Sequence, residues 1–466
     1  MNVVILNGSP KGTLSVTLRY VEFLQLHNPE HVFKVFQIGQ QITKLEKNNS
    51  YFEAVVEAIA AADGLIWATP VYYLLVPAQL KRFIELLFER EKITAFRGKP
   101  VAALTTSIHF FDNTALRYLQ AVSKDLGMIW FGAYPAEMND LRRHGERERL
   151  KNFGKLLLQF FNRDRSKWKV DPARSLPSYF AYTATSPTRF FSTAGKKVTV
   201  IADLENQASN LAAMISYFCS CFEEEINLVD LVEAGISLGC RGCLVCGSEN
   251  RCFYDSRDNF RTLFETAVKE SDIIVLGGQI RDRFLSARWK RFMDRSFYMN
   301  HVPYLKNKQV GLIIEGSLKE NPNLIEVMES YIAMHQGNPA GFVTDETASN
   351  STISISLEIL VETLTTYATA GYTAPQYFPA SGGRKIFRDF IAGPAQLVFP
   401  ADYSYYKENR FFDYPQRHKI MQAVVYLLRN LLRLPRIRRM FSQRIMPGMV
   451  QPLDRIIARE KAALKN

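Results

Sequence analysis

One internal duplication constrains the fold of this 466-residue chain more than any other feature. The segment Ala-Gln-Leu-Lys-Arg-Phe-Ile-Glu at residues 78–85 returns 209 positions later as Ala-Arg-Trp-Lys-Arg-Phe-Met-Asp at 287–294. An apolar strand opens each half, at 3–6 and at 198–201, with an offset of only 195 residues. The second half therefore carries fourteen additional residues between its first strand and its Lys-Arg-Phe helix. Similarity at so long an offset predicts a duplicated domain rather than an array of short repeats.

Composition excludes several classes of protein. Hydrophobic residues make up 47% of the chain and charged residues 22%, which is incompatible with a disordered, collagen-like or low-complexity protein. Six cysteines are too few for a disulfide scaffold of this length. We find no uninterrupted apolar run of about 18 residues, and the N-terminus lacks the basic region of a signal peptide. We therefore expect a cytoplasmic protein.

Short apolar strands alternate with segments of helical period in each half. In the first half the strands are predicted at 3–6, 32–38, 64–68 and 101–105, with helices at 52–62 and 78–88 among them. This alternation is typical of an α/β fold with doubly wound parallel sheets. We predict a first domain at 1–161, a linker at 162–194, a second domain at 195–373 and a basic, partly helical tail at 374–466.

A candidate phosphate loop follows the first strand. Residues 7–17 read Asn-Gly-Ser-Pro-Lys-Gly-Thr-Leu-Ser-Val-Thr and lead into a helix. Backbone N–H groups at such a turn, together with the helix dipole, favour an anion, and the hydroxyl groups add donors. The Gly-Lys-Ser/Thr ending of a Walker loop is absent. The spacing alone fits a phosphate site and an ordinary strand-to-helix turn equally well.

A second motif distinguishes these alternatives. The strand at 64–68 is followed by Thr-Pro-Val-Tyr-Tyr at 69–73 and then by the Lys-Arg-Phe helix. The loop and this turn together resemble the NADPH-dependent FMN reductase family, a branch of the flavodoxin-like proteins. The resemblance implies two tandem flavodoxin-like domains, an FMN cofactor and NAD(P)H as a co-substrate. Leu74-Leu75-Val76 departs from the small polar residues often found there, so substrate access is expected to differ.

The resemblance also implies roles for individual residues. The FMN phosphate would be held by Ser9, Lys11, Ser15 and Thr17. The isoalloxazine ring would be bordered by Pro70, Val71, Tyr72, Tyr73, Thr105, Thr106 and Ser107. Residues 126–128, Leu-Gly-Met, look like the family's late helix. No side chain is assigned as a catalytic acid or base, although His109 is close enough in sequence to Ser107 to be considered.

Four cysteines follow the pattern C-x2-C-x2-C-x5-C, at Cys240, Cys243, Cys246 and Cys252. Thiolates at this spacing can surround one tetrahedral centre. The motif resembles that of the iron–sulfur flavoproteins, which implies a [4Fe–4S] cluster, while a zinc site or free thiols remain alternatives. Cys219 and Cys221 lie in a predicted apolar helix at 211–222 and are expected to be core residues.

The second half departs from the flavin motifs. Its first turn, residues 202–210, lacks glycine and contains the carboxylates of Asp203 and Glu205, which would repel a phosphate. Residues 277–281, Gly-Gly-Gln-Ile-Arg, replace the Pro-Val-Tyr-Tyr turn. We therefore expect FMN in the first half and the cysteine centre in the second. The hypothesis is an intrachain pseudo-dimer in which the two centres exchange electrons, with further homodimerisation left open.

The net charge of +12 is concentrated at the C-terminus, since residues 384–466 contain 17 basic and 6 acidic residues. Residues 420–440 form a basic amphipathic pattern, which can contact an anionic membrane surface or a partner protein, or pack against the chain's own domains. A peripheral location at the inner membrane face is therefore an alternative to a purely cytoplasmic one. No nucleic-acid partner is expected, because no known binding module accompanies the charge.

Flavin and cluster together indicate a converter between two-electron and one-electron carriers. The leading hypothesis is an FMN-dependent oxidoreductase that passes electrons from NAD(P)H or another donor through FMN and the [4Fe–4S] cluster. The acceptor would be a redox partner protein or a small molecule. The alternative is a non-catalytic electron-transfer or scaffold subunit that docks on a redox complex or membrane through its basic tail. A third hypothesis is a pseudoenzyme with zinc at the cysteines.

Overall fold

A computed structural model describes residues 1–164, 180–412, 419–432 and 434–464, except for the side chains of residues 419–422 and 442. The chain divides into two compact units. The first unit takes its described residues from Met1–Leu176, Gly239–Leu244 and Leu427–Asn466, and the second from Pro177–Leu238 and Val245–Tyr426. Residues 165–179 of the predicted linker at 162–194 lie outside the described residues.

The first unit contains a five-stranded parallel sheet. Its strands are β1 (Asn2–Asn7), β2 (Val32–Phe36), β3 (Gly64–Pro70), β4 (Pro100–Ser107) and β5 (Ile129–Glu137). The order is β2-β1-β3-β4-β5, and Ile5 pairs with Val35 on one side and with Ile66 on the other. This strand order is that of the flavodoxin-like fold, in which ligands bind at the carboxyl ends of the strands. The predicted α/β class is therefore confirmed.

Helices cover this sheet, and their apolar faces are buried against it. They are α1 (Val16–Leu26), α2 (Ile42–Lys47), α3 (Asn49–Ala61), α4 (Ala78–Glu89), α5 (Asp112–Asp125) and α6 (His144–Phe161). Val3, Ile5 and Ile66 of the sheet are buried with Tyr20 and Phe23 of α1. Leu126 and Gly127, expected in a late helix, form the turn that follows α5, where Gly127 has a φ of 70°.

The second unit repeats this architecture. Its strands are β6 (Val198–Ala202), β7 (Asn227–Asp230), β8 (Ile273–Gln279), β9 (Gln309–Glu315) and β10 (Asn338–Thr344). The order β7-β6-β8-β9-β10 is the same as in the first sheet. The helices are α7 (Asn210–Ser220), α8 (Phe260–Leu263), α9 (Ala287–Ser296), α10 (Pro322–Met334), α11 (Asn350–Ala370), α12 (Phe378–Ala392) and α13 (Pro400–Glu408). Two parallel sheets of identical order agree with the predicted duplication.

Side-chain contacts repeat as well. Lys99 donates to the carbonyl oxygens of Ala60 and Ala62 at 2.7 and 2.8 Å. Lys308, 209 positions later, donates to the carbonyl oxygens of Lys269 and Ser271. Each lysine lies just before one strand, β4 or β9, and binds the segment that leads into the neighbouring strand, β3 or β8. The two halves therefore share these side-chain contacts as well as their strand order.

The last two helices are α14 (Lys419–Leu431) and α15 (Pro435–Ala463). The tail is therefore partly helical as predicted, although α15 itself was not predicted. Leu453 of α15 is buried in the core of the first unit, and Glu460 pairs with Arg147 at 3.1 Å. In α14, Val425 is buried, whereas Leu427 and Leu431 are exposed. Over the described residues, we find no helix whose length and apolar content would let it cross a bilayer. Peripheral membrane contact by residues 420–440 remains a prediction.

Candidate functional site

The loop after β1 packs tightly against the carboxyl ends of the strands. A β-carbon at Gly8 would lie 2.7 Å from the hydroxyl oxygen of Thr69, so only glycine fits there. The backbone of Ser9 donates to the Asn7 side chain at 3.1 Å, and the Ser9 hydroxyl accepts from the backbone of Lys11 at 3.3 Å. Gly12 supplies a φ of 56°, which side chains rarely adopt. These contacts hold the loop in its conformation.

Helix α1 begins directly behind this loop. Ser15 caps it, accepting a hydrogen bond from the backbone of Leu18 at 3.4 Å. Within the described part of the chain, no acceptor is recorded for the backbone N–H groups of Val16 and Thr17, the first two residues of the helix. Such N–H groups, with the helix dipole behind them, are the usual elements of an anion site.

Strand β4 approaches the same place. The hydroxyl of Thr106 bonds that of Thr17 at 2.6 Å, and its carbonyl accepts from the backbone of Val71 at 3.1 Å. The structure therefore brings together the loop, the Pro-Val-Tyr-Tyr turn and the end of β4, the three segments that the family resemblance assigned to one site. The buried hydroxyl oxygen of Thr105 has no hydrogen-bond partner among the described residues.

The predicted ring-binding turn has a strained backbone. Residues 72–75 form a tight turn closed by hydrogen bonds of 2.8 and 3.1 Å between Tyr72 and Leu75. Tyr73 and Leu74 occupy its centre with φ values of 37° and 63°. Two successive side-chain-bearing residues with positive φ are costly, and such strain is concentrated at functional sites.

His109 lies on the loop between β4 and α5. Its side chain is half-exposed, and its Nδ1 atom is 2.8 Å from a carboxylate oxygen of Asp112. Its backbone donates to the Ser107 hydroxyl at 2.8 Å. These contacts account for its position, and a catalytic role for His109 stays a prediction.

These residues fit the FMN that the sequence motifs imply. The phosphate would meet the Val16 and Thr17 amides and the Lys11 ammonium, and the unpaired Thr105 hydroxyl would be available to the bound cofactor. The turn at residues 72–75 is in place to border the ring. The individual contacts to FMN remain predictions.

The hexapeptide Gly239–Leu244 belongs to the first unit and packs at this same site. The side-chain amide of Gln79 donates to the carbonyl of Cys240 at 3.1 Å. A β-carbon at Gly242 would lie 2.7 Å from Cε of Lys11 and would also strike the Tyr72 hydroxyl. Gly242 therefore lies against one residue predicted to hold the phosphate and one predicted to border the ring.

Two cysteines of the hexapeptide, Cys240 and Cys243, affect the pKa of Lys11. Burial lowers the pKa of its ammonium group, and the nearby Cys240 and Cys243 thiols act in the opposite direction. Cys240 Sγ accepts from the backbone of Gly242 at 3.3 Å, within the C-x2-C turn. The charge of Lys11 thus lies close to both thiols.

The other two cysteines of the motif lie in the second unit. Cys246 is buried, and its carbonyl accepts from the Asn300 side chain at 3.0 Å. Burial raises the pKa of Cys252, an effect that the guanidinium of Arg295 opposes. No group of three or more His, Cys, Asp or Glu side chains within the described ranges is arranged to hold a metal ion. The [4Fe–4S] cluster and the zinc alternative therefore remain predictions from the cysteine spacing.

Cys219 and Cys221 behave as the core residues expected. Cys221 is buried and its thiol contacts the carbonyl of Tyr217 at 3.2 Å. Burial raises the pKa of Cys219 to about 11 and that of Cys221 to about 12. Neither thiol is activated as a nucleophile.

The corresponding place in the second unit is filled by carboxylates. Asp203, after β6, bonds the Ser286 hydroxyl and the Arg288 guanidinium. Glu315, at the end of β9, accepts from the backbone of Leu211 at 3.0 Å and from Gln279 at 2.8 Å. Burial raises the pKa of Glu315. These carboxylates would repel a phosphate dianion, and the confinement of FMN to the first half stays a prediction.

Sequence reasoning did not identify Gln79, Gly242 or Glu315 as residues of these sites. A signal existed for Glu315, because the offset of 209 carries Thr106 onto it. No signal existed for the contact of Gln79 with Cys240, since 161 positions separate them.

Comparison with known proteins gives one family match. Residues 1–136 match the family model described as NADPH-dependent FMN reductase. No curated protein shows significant sequence similarity to the chain.

Several solved structures are similar to part of the chain. An NADH:FMN oxidoreductase (EMOB) in its apo form is 21% identical, with a TM-score of 0.31, and covers 35% of this chain and 91% of its own. The flavoenzyme FerB, an NAD(P)H:acceptor oxidoreductase from Paracoccus denitrificans, is 16% identical over 34% of this chain and 96% of its own, with a TM-score of 0.29. An FMN-dependent NADH-azoreductase from Bacillus anthracis is 13% identical over 35% of this chain and 100% of its own, with a TM-score of 0.27.

Proposed function

We propose that the protein is an FMN-dependent NAD(P)H oxidoreductase, because residues 1–136 match the family model described as NADPH-dependent FMN reductase. The observation that carries the proposal is the start of α1, where the Val16 and Thr17 amides have no acceptor among the described residues and would be available to a phosphate. Bound FMN would accept a hydride from NAD(P)H and deliver its electrons singly or in pairs.

The chain's own residues would bind and orient the cofactor. Lys11 and the α1 amides would neutralise the phosphate, and Ser15 would keep the first turn of α1 in place. The strained turn at residues 72–75 would fix the plane of the ring. No acid or base is required of the protein for hydride transfer to the flavin.

Anaerobic titration with NADPH and with NADH tests the proposal. The purified protein, supplied with FMN, should show stoichiometric loss of the oxidised flavin absorbance. Lys11→Ala should weaken FMN binding by about tenfold or more, because it removes a charge close to the phosphate. Lys34→Ala is the matched control, since Lys34 is exposed on β2. Flavin that binds but accepts no electrons from either nicotinamide would contradict the assignment.

A second candidate function follows from the cysteine spacing. The C-x2-C-x2-C-x5-C pattern favours a [4Fe–4S] cluster that passes electrons from FMN to a one-electron acceptor. Among the described residues, no group of three or more His, Cys, Asp or Glu side chains is arranged to hold a metal ion. Anaerobic purification with iron and sulfide analysis tests this candidate: about four irons and four sulfides per chain would support it, and their absence after reconstitution would eliminate it.

A further inference from the structure

The thiols of Cys240 and Cys243 are the cysteines of the motif that lie at the predicted flavin site. Both are half-buried, whereas Cys246 is buried. Gly242, between them, is in contact with Lys11 and Tyr72, and Gln79 holds the carbonyl of Cys240. The hexapeptide Gly239–Leu244 is thus positioned by three residues on the loop, the turn and the helix that build the site.

The conformation of the hexapeptide depends on Gly242. Gly242 has a φ of 64°, and its hydrogen atom faces the Lys11 and Tyr72 side chains where no β-carbon would fit. The turn directs Cys240 Sγ toward its own backbone at Gly242, one residue before Cys243. A C-x2-C turn of this kind is the usual spacing of a redox-active cysteine pair.

We propose that Cys240 and Cys243 form a dithiol–disulfide centre that exchanges electron pairs with FMN, so that the protein reduces disulfide substrates. The inference rests on the proposed FMN site. It differs from the cluster hypothesis, because the two uses of Cys240 and Cys243 exclude each other.

The reaction balances without a further reductant. NAD(P)H supplies two electrons through reduced FMN, the S–S bond between Cys240 and Cys243 breaks, and protons from solvent complete two thiols. One thiolate then attacks a substrate disulfide and releases the first substrate thiol. The second cysteine displaces the other substrate sulfur and restores the bond between Cys240 and Cys243. The net result is one substrate disulfide reduced to two thiols for each NAD(P)H oxidised.

Differential alkylation of the full-length FMN-loaded protein tests the proposal. After mild oxidation with oxidised glutathione, we expect one intramolecular disulfide and four of the six cysteines free to be alkylated. Trypsin cleaves after Arg241, so the bond should appear in mass spectra as two joined peptides. Anaerobic addition of one equivalent of NADPH should then restore six reactive thiols, and protein stripped of FMN should not respond.

Variants separate the cysteine pair from its alternatives. Cys240→Ser and Cys243→Ser should each abolish the disulfide, whereas Cys252→Ser should leave it intact. Gly242→Ala should slow the NADPH-dependent recovery of thiols about tenfold or more, because the hexapeptide must shift. Gly98→Ala is the matched control, since Gly98 has a φ of 72° but open space around it.

The possible outcomes are distinct. Flavin reduction by NADPH without recovery of thiols would overturn this inference and leave the proposed function standing. A disulfide between other cysteines, or iron and sulfide that protect all four motif cysteines from alkylation, would also overturn it. Failure to bind FMN would instead contradict the proposed function itself.

Discussion

The backbone amide of Leu211 donates a hydrogen bond of 3.0 Å to the carboxylate of Glu315. Leu211 is the second residue of α7, as Thr17 is of α1, and no acceptor is recorded for the Thr17 amide within the described ranges. The second domain therefore supplies its own anion at the place where the first domain leaves room for a phosphate. If FMN binds as proposed, this difference would confine it to the first domain.

Thr106→Glu should convert the first site into the arrangement of the second. Thr106 lies 209 positions before Glu315, and its side chain already reaches Thr17. A carboxylate there would repel the phosphate at short range, and we expect FMN affinity to fall by at least about a hundredfold. Equilibrium dialysis measures the change. Thr106→Gln has nearly the same size without the charge, and an equal loss in both variants would show that sterics rather than charge decide.

Glu315→Gln should change how stability depends on pH. Burial raises the pKa of Glu315, and the carboxylate of Asp345 acts in the same direction. A carboxyl group of this kind stabilises the fold fully below its unfolded pKa, and the contribution is lost as the pH rises through the folded value. The melting temperature of the wild type should therefore decline relative to that of the variant as the pH rises above about 4, the ordinary pKa of a glutamate.

A control with the opposite sign is available in the same unit. The hydrogen bond from Arg189 lowers the pKa of Glu362. The melting temperature of the wild type should therefore rise relative to that of Glu362→Gln as the pH rises through the acidic range. A loss of stability that does not vary with pH, such as that from a broken hydrogen bond, leaves the pH dependence of both differences in melting temperature unchanged. If the difference in melting temperature changed with pH in the same direction for both variants, the opposite pKa shifts of Glu315 and Glu362 would be contradicted.

Leu453→Ala should loosen α15. Leu453 is 1% exposed in the core of the first unit, so its truncation should cost about 2–5 kcal/mol. Hydrogen exchange followed by mass spectrometry should show faster exchange in peptides from residues 449–460. Leu464→Ala, at an exposed position after α15, should have an effect within about 0.5 kcal/mol. Unchanged exchange in Leu453→Ala would mean that α15 does not depend on this contact.

The exposed leucines of α14 should bind anionic membranes. Leu427 and Leu431 are exposed one turn apart, next to the basic residues of the tail. Cosedimentation with phosphatidylglycerol vesicles should show binding that falls at high salt and drops about tenfold or more in Leu427→Asp/Leu431→Asp. Ile355→Asp/Ile359→Asp provides a matched pair on α11. Equal binding to neutral vesicles, or an equal loss in both pairs, would contradict a membrane role for α14.

Local patterns predicted the first four strands and the helices around them because each was short, apolar and bounded by clear turn residues. Strand β5 was not predicted. Its sequence includes Gly132 and Pro135, and most of its residues are only partly buried at the sheet edge, so the apolar signal is weak. Its pairing with β4 is also irregular, with a register shift between Val101 and Ala102.

Helix α15 was missed for a different reason. Pro447 and Pro452 lie inside it, and proline normally ends or kinks a helix. Packing of Leu453 against the first unit supplies stability that local propensity does not. The candidate site could likewise be predicted only in part. The loop at residues 7–17 and the turn at 69–73 could be recognised from their motifs. The position of Gly239–Leu244 follows only from the tertiary structure.

The number of FMN molecules bound per chain tests the account most directly. Protein reconstituted with excess FMN and freed of unbound cofactor should retain one FMN per chain, measured from flavin absorbance against protein concentration. Thr106→Glu should retain none under the same conditions, whereas Glu315→Gln should still retain one. Two FMN molecules in the wild type, or none, would contradict the claim that the first domain alone holds the flavin.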